Sequence, residues 1–504
     1  MRRNAANWML LLVMCVSAVP ARAQDTHDQT IIVDAHAAAT PFPHFWEEMF
    51  GSGRAVLSMR ESYRNDLRDV KSITGFQYVR FHAIFHDELG VYDEDKQGNA
   101  VYNFSYVDQI YDGLLNNGVR PFVELSFMPK KLASNPDALH NFWYKQNVSP
   151  PKDYAKWDAF MKAFVQHLVD RYGIDEVSQW YFEVWNEPNI DFWVGNPKQS
   201  TYFELYDHTA LDVKSVNPRL RVGGPSTAQA AWIGDLIAHT VANNIPLDFV
   251  SSHIYGSEKA TKVFGPDTKE SISLEDMVWR GTQKMHDEIL HSQRPNLPLI
   301  VSEFNVRSSN LKLLDSTYVG SALANTIREC DGLTAMMSFW TFSDVFEEQG
   351  PVKTPFHGGF GLMAAGGIPK PSYVSFELLH RLGQTRLANS ADNILVTIDK
   401  QGHTVVALWN LVPVSTAGGA SRMVHLHLQN FKLLQRASVL RVDDQHSNAL
   451  TAYAAMGSPR YPSQAQIKML RDAGKLSPPE VHTIHNNTLD ISIPPNGLDV
   501  ITLR

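Results

Sequence analysis

Short, almost wholly apolar runs recur along the first three quarters of the chain. They are Glu48–Gly51, Phe76–His82, Arg120–Phe127, Gln179–Glu187, Leu220–Pro225, Leu247–Tyr255, Leu297–Phe304 and Leu333–Thr341. Runs this short, without polar alternation, predict strands buried on both faces. Amphipathic stretches lie between them. The clearest, Asp153–Tyr172, sets Trp157, Phe160, Phe164, Leu168 and Val169 near helical spacing and stops at Gly173. Eight such strand–helix units predict an α/β protein, a closed (β/α)8 TIM barrel over residues 41–383. After about Gly383 the crossover helices cease. Ile394–Ile398, Thr404–Leu411, Met423–Leu428, Ser438–Val442, Thr488–Ile493 and Val500–Leu503 predict a C-terminal β-sandwich accessory domain over 384–504, interrupted by a partly helical insertion at Ala449–Leu476. A further strand at Thr30–Ala35, within segment 24–40, is expected to join that sandwich.

Composition narrows the class. A length of 504 residues accommodates a barrel plus a second domain. Residues 1–23 have the form of a signal peptide, with basic Arg2 and Arg3, an apolar Trp8–Val19 run too short to span a bilayer, and a small-x-small site at Ala21-Arg22-Ala23. Cleavage near Ala23 predicts a secreted or periplasmic protein. Its loss removes three arginines and leaves 42 basic against 53 acidic residues. That balance argues against nucleic acid or an anionic membrane as partner. Cys330 alone remains, so the fold must rest on its core and not on a disulfide.

Two carboxylates stand out. The run QWYFEVWNEPN (Gln179–Asn189) ends an aromatic-rich strand in Asn186-Glu187-Pro188, and Pro188 cannot continue a ladder. LIVSEFN (Leu299–Asn305) ends a second buried strand at Glu303. Counted along the chain these are strands four and seven, which lie on opposing sides of an eight-stranded barrel. Residues at the C-terminal ends of barrel strands face the active site. A carboxylate pair about 5–5.5 Å apart there is the machinery of a retaining glycosidase. The nucleophile must be ionised; the acid must hold a proton, and the charge of Glu303 is expected to help Glu187 do so.

The motifs VRFHAIFHDEL (Val79–Leu89), ELSFMP (Glu124–Pro129), FEVWNEPN (Phe182–Asn189), SSHIYG (Ser251–Gly256), SEFN (Ser302–Asn305) and SFWTFSDVFEE (Ser338–Glu348) together resemble glycoside hydrolase family 39, above all its β-xylosidase branch. The resemblance implies Glu187 as acid/base and Glu303 as nucleophile, with Asn186 on the sugar 2-hydroxyl. It implies His253 and Tyr255 in the pocket, Tyr255 touching the nucleophile, and Trp340 beneath the ring. Glu347 and Glu348 would take ring hydroxyls, and Arg80, His82 and Phe127 would complete the wall. It also implies a cis Trp340–Thr341 peptide. Ala83 and Ser126 stand where the family's usual RFHG and GFMP carry glycine.

The implied reaction is exo-acting release of β-D-xylose from xylo-oligosaccharides, with no cofactor and no metal. α-L-Arabinose is an alternative glycone and L-iduronate a weaker one, since carboxylates at 347 and 348 would repel a uronate. A noncatalytic carbohydrate-binding protein is disfavoured because both glutamates are present. The His82/His86 spacing lacks the companions of a metal site, and Gly359-Phe360-Gly361 reads as a loop over the cleft, not a dinucleotide turn.

Overall fold

The computed structural model describes residues 27–504, apart from 310, 417 and 433. Residues 1–23, where a signal peptide is expected, lie outside the described residues. Eight parallel strands close a barrel in chain order: β1 (Met49–Ser52), β2 (Tyr78–Phe81), β3 (Arg120–Leu125), β4 (Tyr181–Val184), β5 (Arg221–Thr227), β6 (Phe249–Tyr255), β7 (Leu299–Asn305) and β8 (Met336–Phe339). Helices cover the outside, which is why these strands carry apolar side chains on both faces. The helix Tyr154–Tyr172 shows how. The Asp153 side chain accepts from the amides of Ala155 and Lys156, Trp157, Phe160, Phe164 and Leu168 are buried, and Gly173 ends the helix at φ 80°.

Alternation along the strands divides the barrel interior in two. Met49, Phe122, Phe249, Ile300 and Met336, with Tyr78 and Tyr181 against them, form an apolar plug at the N-terminal end. Two residues further along β2, β3 and β4 come Arg80, Glu124 and Glu183, all buried. The period of two thus stacks a charged layer directly on the plug.

Beyond the barrel, a seven-stranded antiparallel sheet runs in the order Ala39–Pro41, Thr385–Leu387, Ile394–Ile398, Thr404–Trp409, Leu498–Leu503, Arg436–Val442 and Glu480–Thr483. Val396, Val406 and Ile501 face a three-stranded sheet across an apolar core; Leu395, Val405 and Val500 belong to the core shared with the barrel. The three-stranded sheet pairs His27–Asp34 in parallel with Arg422–Gln429, which runs antiparallel to Thr488–Ile493. Its other face is in solvent, so RMVHLHLQ alternates: Val424, Leu426 and Leu428 are buried and His427 is exposed. The insertion forms helices Ala449–Ala455 and Gln464–Ala473, which pack through Tyr453 and Leu470 on Phe356, Ala364 and Ile368. It therefore braces the long segment after β8.

Gly383 joins the barrel to the seven-stranded sheet, and a Cβ there would overlap the backbone of Ile398. No side-chain rotation relieves a backbone clash. Gly383→Ala is expected to cost about 1–3 kcal/mol of stability, read from the denaturant midpoint; an unchanged midpoint would refute this account of the junction.

Candidate active site

The C-terminal end of the barrel opens into a cavity of about 540 Å³ lined by His82, Asn186, Glu187, Tyr255, Glu303, Trp340 and Glu348, among others. Arg80 lies beneath it, fully buried. Its Nε donates to Glu183 Oε2 at 2.6 Å and its Nη1 to Glu303 Oε1 at 2.6 Å. Its Nη2 lies 2.8 Å from Glu124 Oε2 and donates to Asn186 Oδ1 at 2.9 Å and Ser226 Oγ at 3.1 Å. The other oxygen of Glu303 accepts from the Tyr255 hydroxyl at 2.6 Å.

His82 Nδ1 lies 2.7 Å from Glu124 Oε2. Burial works against a charge on this imidazole, but Glu124 and Glu303 prevail and raise its pKa to about 9. His82 is therefore cationic at neutral pH. Its Nε2 points towards Glu348 Oε1 at 3.6 Å, an oxygen that is buried without a hydrogen-bond partner. Burial first, with Glu303 and Glu187 assisting against the pull of His82, raises Glu348 to about 8.

Glu187 has different surroundings. β4 stops at Val184, and the chain turns through left-handed conformations at Trp185 (φ 70°) and Glu187 (φ 45°). Glu187 thus stands three residues beyond the strand and not at its tip as the sequence suggested. Left-handed φ costs a side-chain-bearing residue about 1–2 kcal/mol. The turn is held by the Glu187 amide donating to Ser226 O at 2.8 Å and the Trp185 indole donating to Phe192 O at 2.8 Å. Burial raises the Glu187 carboxyl to about 7, against His82 and Arg80; Asp191 and Glu124 add to the rise. Burial leads this rise, and the Glu303 charge, expected to help, is not among its principal causes.

His253 Nδ1 lies 2.9 Å from Glu187 Oε1. Burial lowers this imidazole to about 4, so it is neutral at pH 7. Ser226 Oγ accepts from Arg80 and lies 3.4 Å from His253 Nε2. Its own proton is left for that nitrogen, which places the imidazole hydrogen on Nδ1, facing Glu187. A Glu187 oxygen, a Glu303 oxygen and a His253 nitrogen all lie within 4.8 Å of one another.

A family model for glycosyl hydrolases family 39 matches residues 29–486. The chain belongs to this family. It is 38% identical over 443 residues to a β-xylosidase of Geobacillus stearothermophilus, with 86% of each chain covered. It is 34% identical to a β-xylosidase of Caldicellulosiruptor saccharolyticus, covering 91% of this chain and 95% of that one. The crystal structure of a monomeric β-xylosidase from Caulobacter crescentus superposes with a TM-score of 0.84 at 33% identity, covering 94% of this chain and 99% of that one.

Not every residue implied by the resemblance reaches the cavity of this family 39 hydrolase. Glu347 turns away at φ 63° and pairs with Arg60 at 2.5 Å and Arg54 at 3.4 Å, leaving Glu348 alone in the pocket. Phe127 lies behind the wall, against His82, Trp185 and Phe192, and the fully buried His253 stands behind Glu187 without lining the cavity. The Trp340–Thr341 bond is cis, as is Ser126–Phe127. Ala83 adopts φ 70°, a conformation that explains why glycine is usual there. His86 accepts from the amide of Glu88, so the His82/His86 spacing is local structure; Phe360 lines the cavity, as a loop over the cleft should.

The sequence reading missed His140, Phe142, Asp191, Phe192, Gln229 and Glu258, loop residues that also line the cavity. It missed Gly51 too, where a Cβ would overlap the Trp340 ring. Three ligand-capable side chains also meet at the other end of the barrel, where Glu47 lies 2.7 Å from His44 Nδ1 and 2.8 Å from His380 Nδ1. These are hydrogen-bond separations, and burial of Glu47 is outweighed by the two imidazoles, which hold it below its ordinary pKa.

Arg80→Met preserves apolar bulk but leaves Glu124 and Glu183 buried without their cation. It is expected to cost about 3–5 kcal/mol in denaturant unfolding; wild-type stability would show that the buried charge set contributes nothing net.

Proposed function

We propose that this family 39 hydrolase releases β-D-xylose from the nonreducing ends of β-1,4-xylo-oligosaccharides with retention of configuration. The observation that carries this reading is the unlike pair of carboxylates within 4.8 Å. Glu303, gripped by Arg80 and Tyr255, attacks C1 as nucleophile. Glu187, held protonated by burial near neutral pH, gives its proton to the departing oxygen. With His253 donating to Oε1, that proton resides on Oε2. In the second half, Glu187 takes a proton from water, which attacks C1 and frees Glu303.

Three features support a neutral, terminal glycone. Among the described residues no Lys or Arg lines the cavity, and Glu348 offers an unpartnered oxygen to sugar hydroxyls. The cationic His82 is already bonded to Glu124 and faced by Glu348. The Trp143 amide donates to Glu348 O at 2.8 Å, tying down the loop beside that carboxyl group. A basic, apolar leader ending at Ala21-Arg22-Ala23 supports export, with xylan fragments met outside the cytoplasm.

A panel of nitrophenyl glycosides tests the glycone. The β-D-xylopyranoside is expected to lead, with crossover to the α-L-arabinopyranoside, which differs at one ring hydroxyl. Preference for an arabinoside or an iduronide would reject xylose while leaving the glutamates in place.

Glu187→Ala is expected to lower kcat/KM on xylobiose by about 10²–10⁴-fold, to spare aryl xylosides of acidic phenols in the first step, and to be rescued by azide. In the wild type, kcat/KM should fall as pH rises through about 7, because the acid loses its proton there. A 2-deoxy-2-fluoroxyloside should label Glu303. A label elsewhere, or equal losses on all substrates without rescue, would overturn the assignment.

A further inference from the structure

The part of the cavity around Glu187 carries two more carboxylates, Asp191 and Glu258. Asp191 follows Glu187 on the loop after β4, and its charge bears on Glu187. Glu258 follows β6; burial first, with the charge of Glu187 assisting, raises its carboxyl to about 7, so it carries a partial negative charge at neutral pH. Glu348, by contrast, is grouped with His82 and Glu303 towards the glycone. His140 Nε2 lies 3.4 Å from Asp191 Oδ2, but burial pushes this imidazole below its ordinary pKa, so it adds no full positive charge at neutral pH. Lys198 donates to the carbonyls of Ile190 and Trp193 and feels the charge of Asp191, and Lys259 and Arg307 adjoin this region in sequence, yet none of the three lines the cavity. The leaving group therefore departs past acidic side chains with no described lysine or arginine beside them in the cavity wall. Glu187 itself becomes a third carboxylate as its proton is transferred.

We propose that Asp191 and Glu258 make the leaving-group side of this site select against aglycones that carry a carboxylate, such as xylo-oligosaccharides with a uronate or aldonate unit next to the scissile bond. A negative field in a water-poor cleft acts on an arriving anion before contact and again as Glu187 ionises. This inference rests on the xylosidase reading.

Two substrates isolate charge from shape: xylobiitol and xylobionate, whose open-chain aglycones differ in having an alcohol or a carboxylate at the end. At neutral pH and low salt, kcat/KM for xylobiitol is expected to exceed that for xylobionate by about tenfold. About 0.5 M NaCl should shrink the gap. Asp191→Asn and Glu258→Gln should each narrow it, and the double variant should bring it to about twofold. The ratio cancels any common effect of these substitutions on Glu187, and turnover of xylobiitol reports that each variant is folded. Equal efficiencies in the wild type, or a gap that survives the double variant, would overturn the proposal. Failure to hydrolyse both xylobiitol and xylobiose would instead remove the xylosidase reading, and this inference with it.

Discussion

One buried guanidinium organises the catalytic end of this barrel. Arg80 rises from β2 and meets carboxylates delivered by β3, β4 and β7, those of Glu124, Glu183 and Glu303. Three carboxylates cannot be brought together out of water without a counter-charge, and a single arginine with five donors can serve several at once. The protonated imidazole of His82 supplies the second positive charge. Because these strands are hydrogen-bonded neighbours or close the same barrel, their register sets where each charge sits. The active site is therefore a continuation of the barrel core, polar where the plug below it is apolar.

The same guanidinium helps keep the surroundings of Glu187 and Glu303 chemically unlike. It donates directly to Glu303, whereas it makes no hydrogen bond to Glu187 and is linked to it through Ser226 and His253. A neutral imidazole with its hydrogen towards Glu187 tolerates either protonation state of that carboxyl, as the proposed acid/base role requires. Ser226 holds the group twice, once through His253 and once by accepting from the Glu187 amide. The left-handed turn at Trp185 and Glu187 is the conformational cost of lifting this carboxyl off the strand and over the cavity.

The parts outside the barrel serve the loops above it. The central strands of the seven-stranded sheet are buried on both faces, one against the barrel and one within the sandwich. The helical insertion packs on Phe356 and the hairpin at Met363–Pro369, and the Thr354 hydroxyl meets the Tyr453 hydroxyl at 2.8 Å. This bracing lies on the segment that runs from Trp340 through Glu348 to Phe360. The accessory domain thus reaches the site through one of the long loops that line it.

The eight barrel strands were legible in the sequence, because strands covered on both sides are apolar over most of their length. The sequence likewise marked most sandwich strands, apart from three- and four-residue pieces such as Ala39–Pro41, Thr385–Leu387 and Glu480–Thr483, which are too short to show a period. Glu187 and Glu303 were legible because a carboxylate closing an apolar strand has no packing role. Tertiary structure decided what each neighbour does. Glu347 and Glu348 are adjacent in sequence, but the left-handed turn at Glu347 sends one to Arg60 and the other into the cavity. Asp191, Gln229 and Glu258 sit on loops that have no periodicity to read, and they acquire meaning only when different strand ends bring them to one wall. The rise of the Glu187 carboxyl comes first from burial, a property of the assembled surroundings that no residue pattern records.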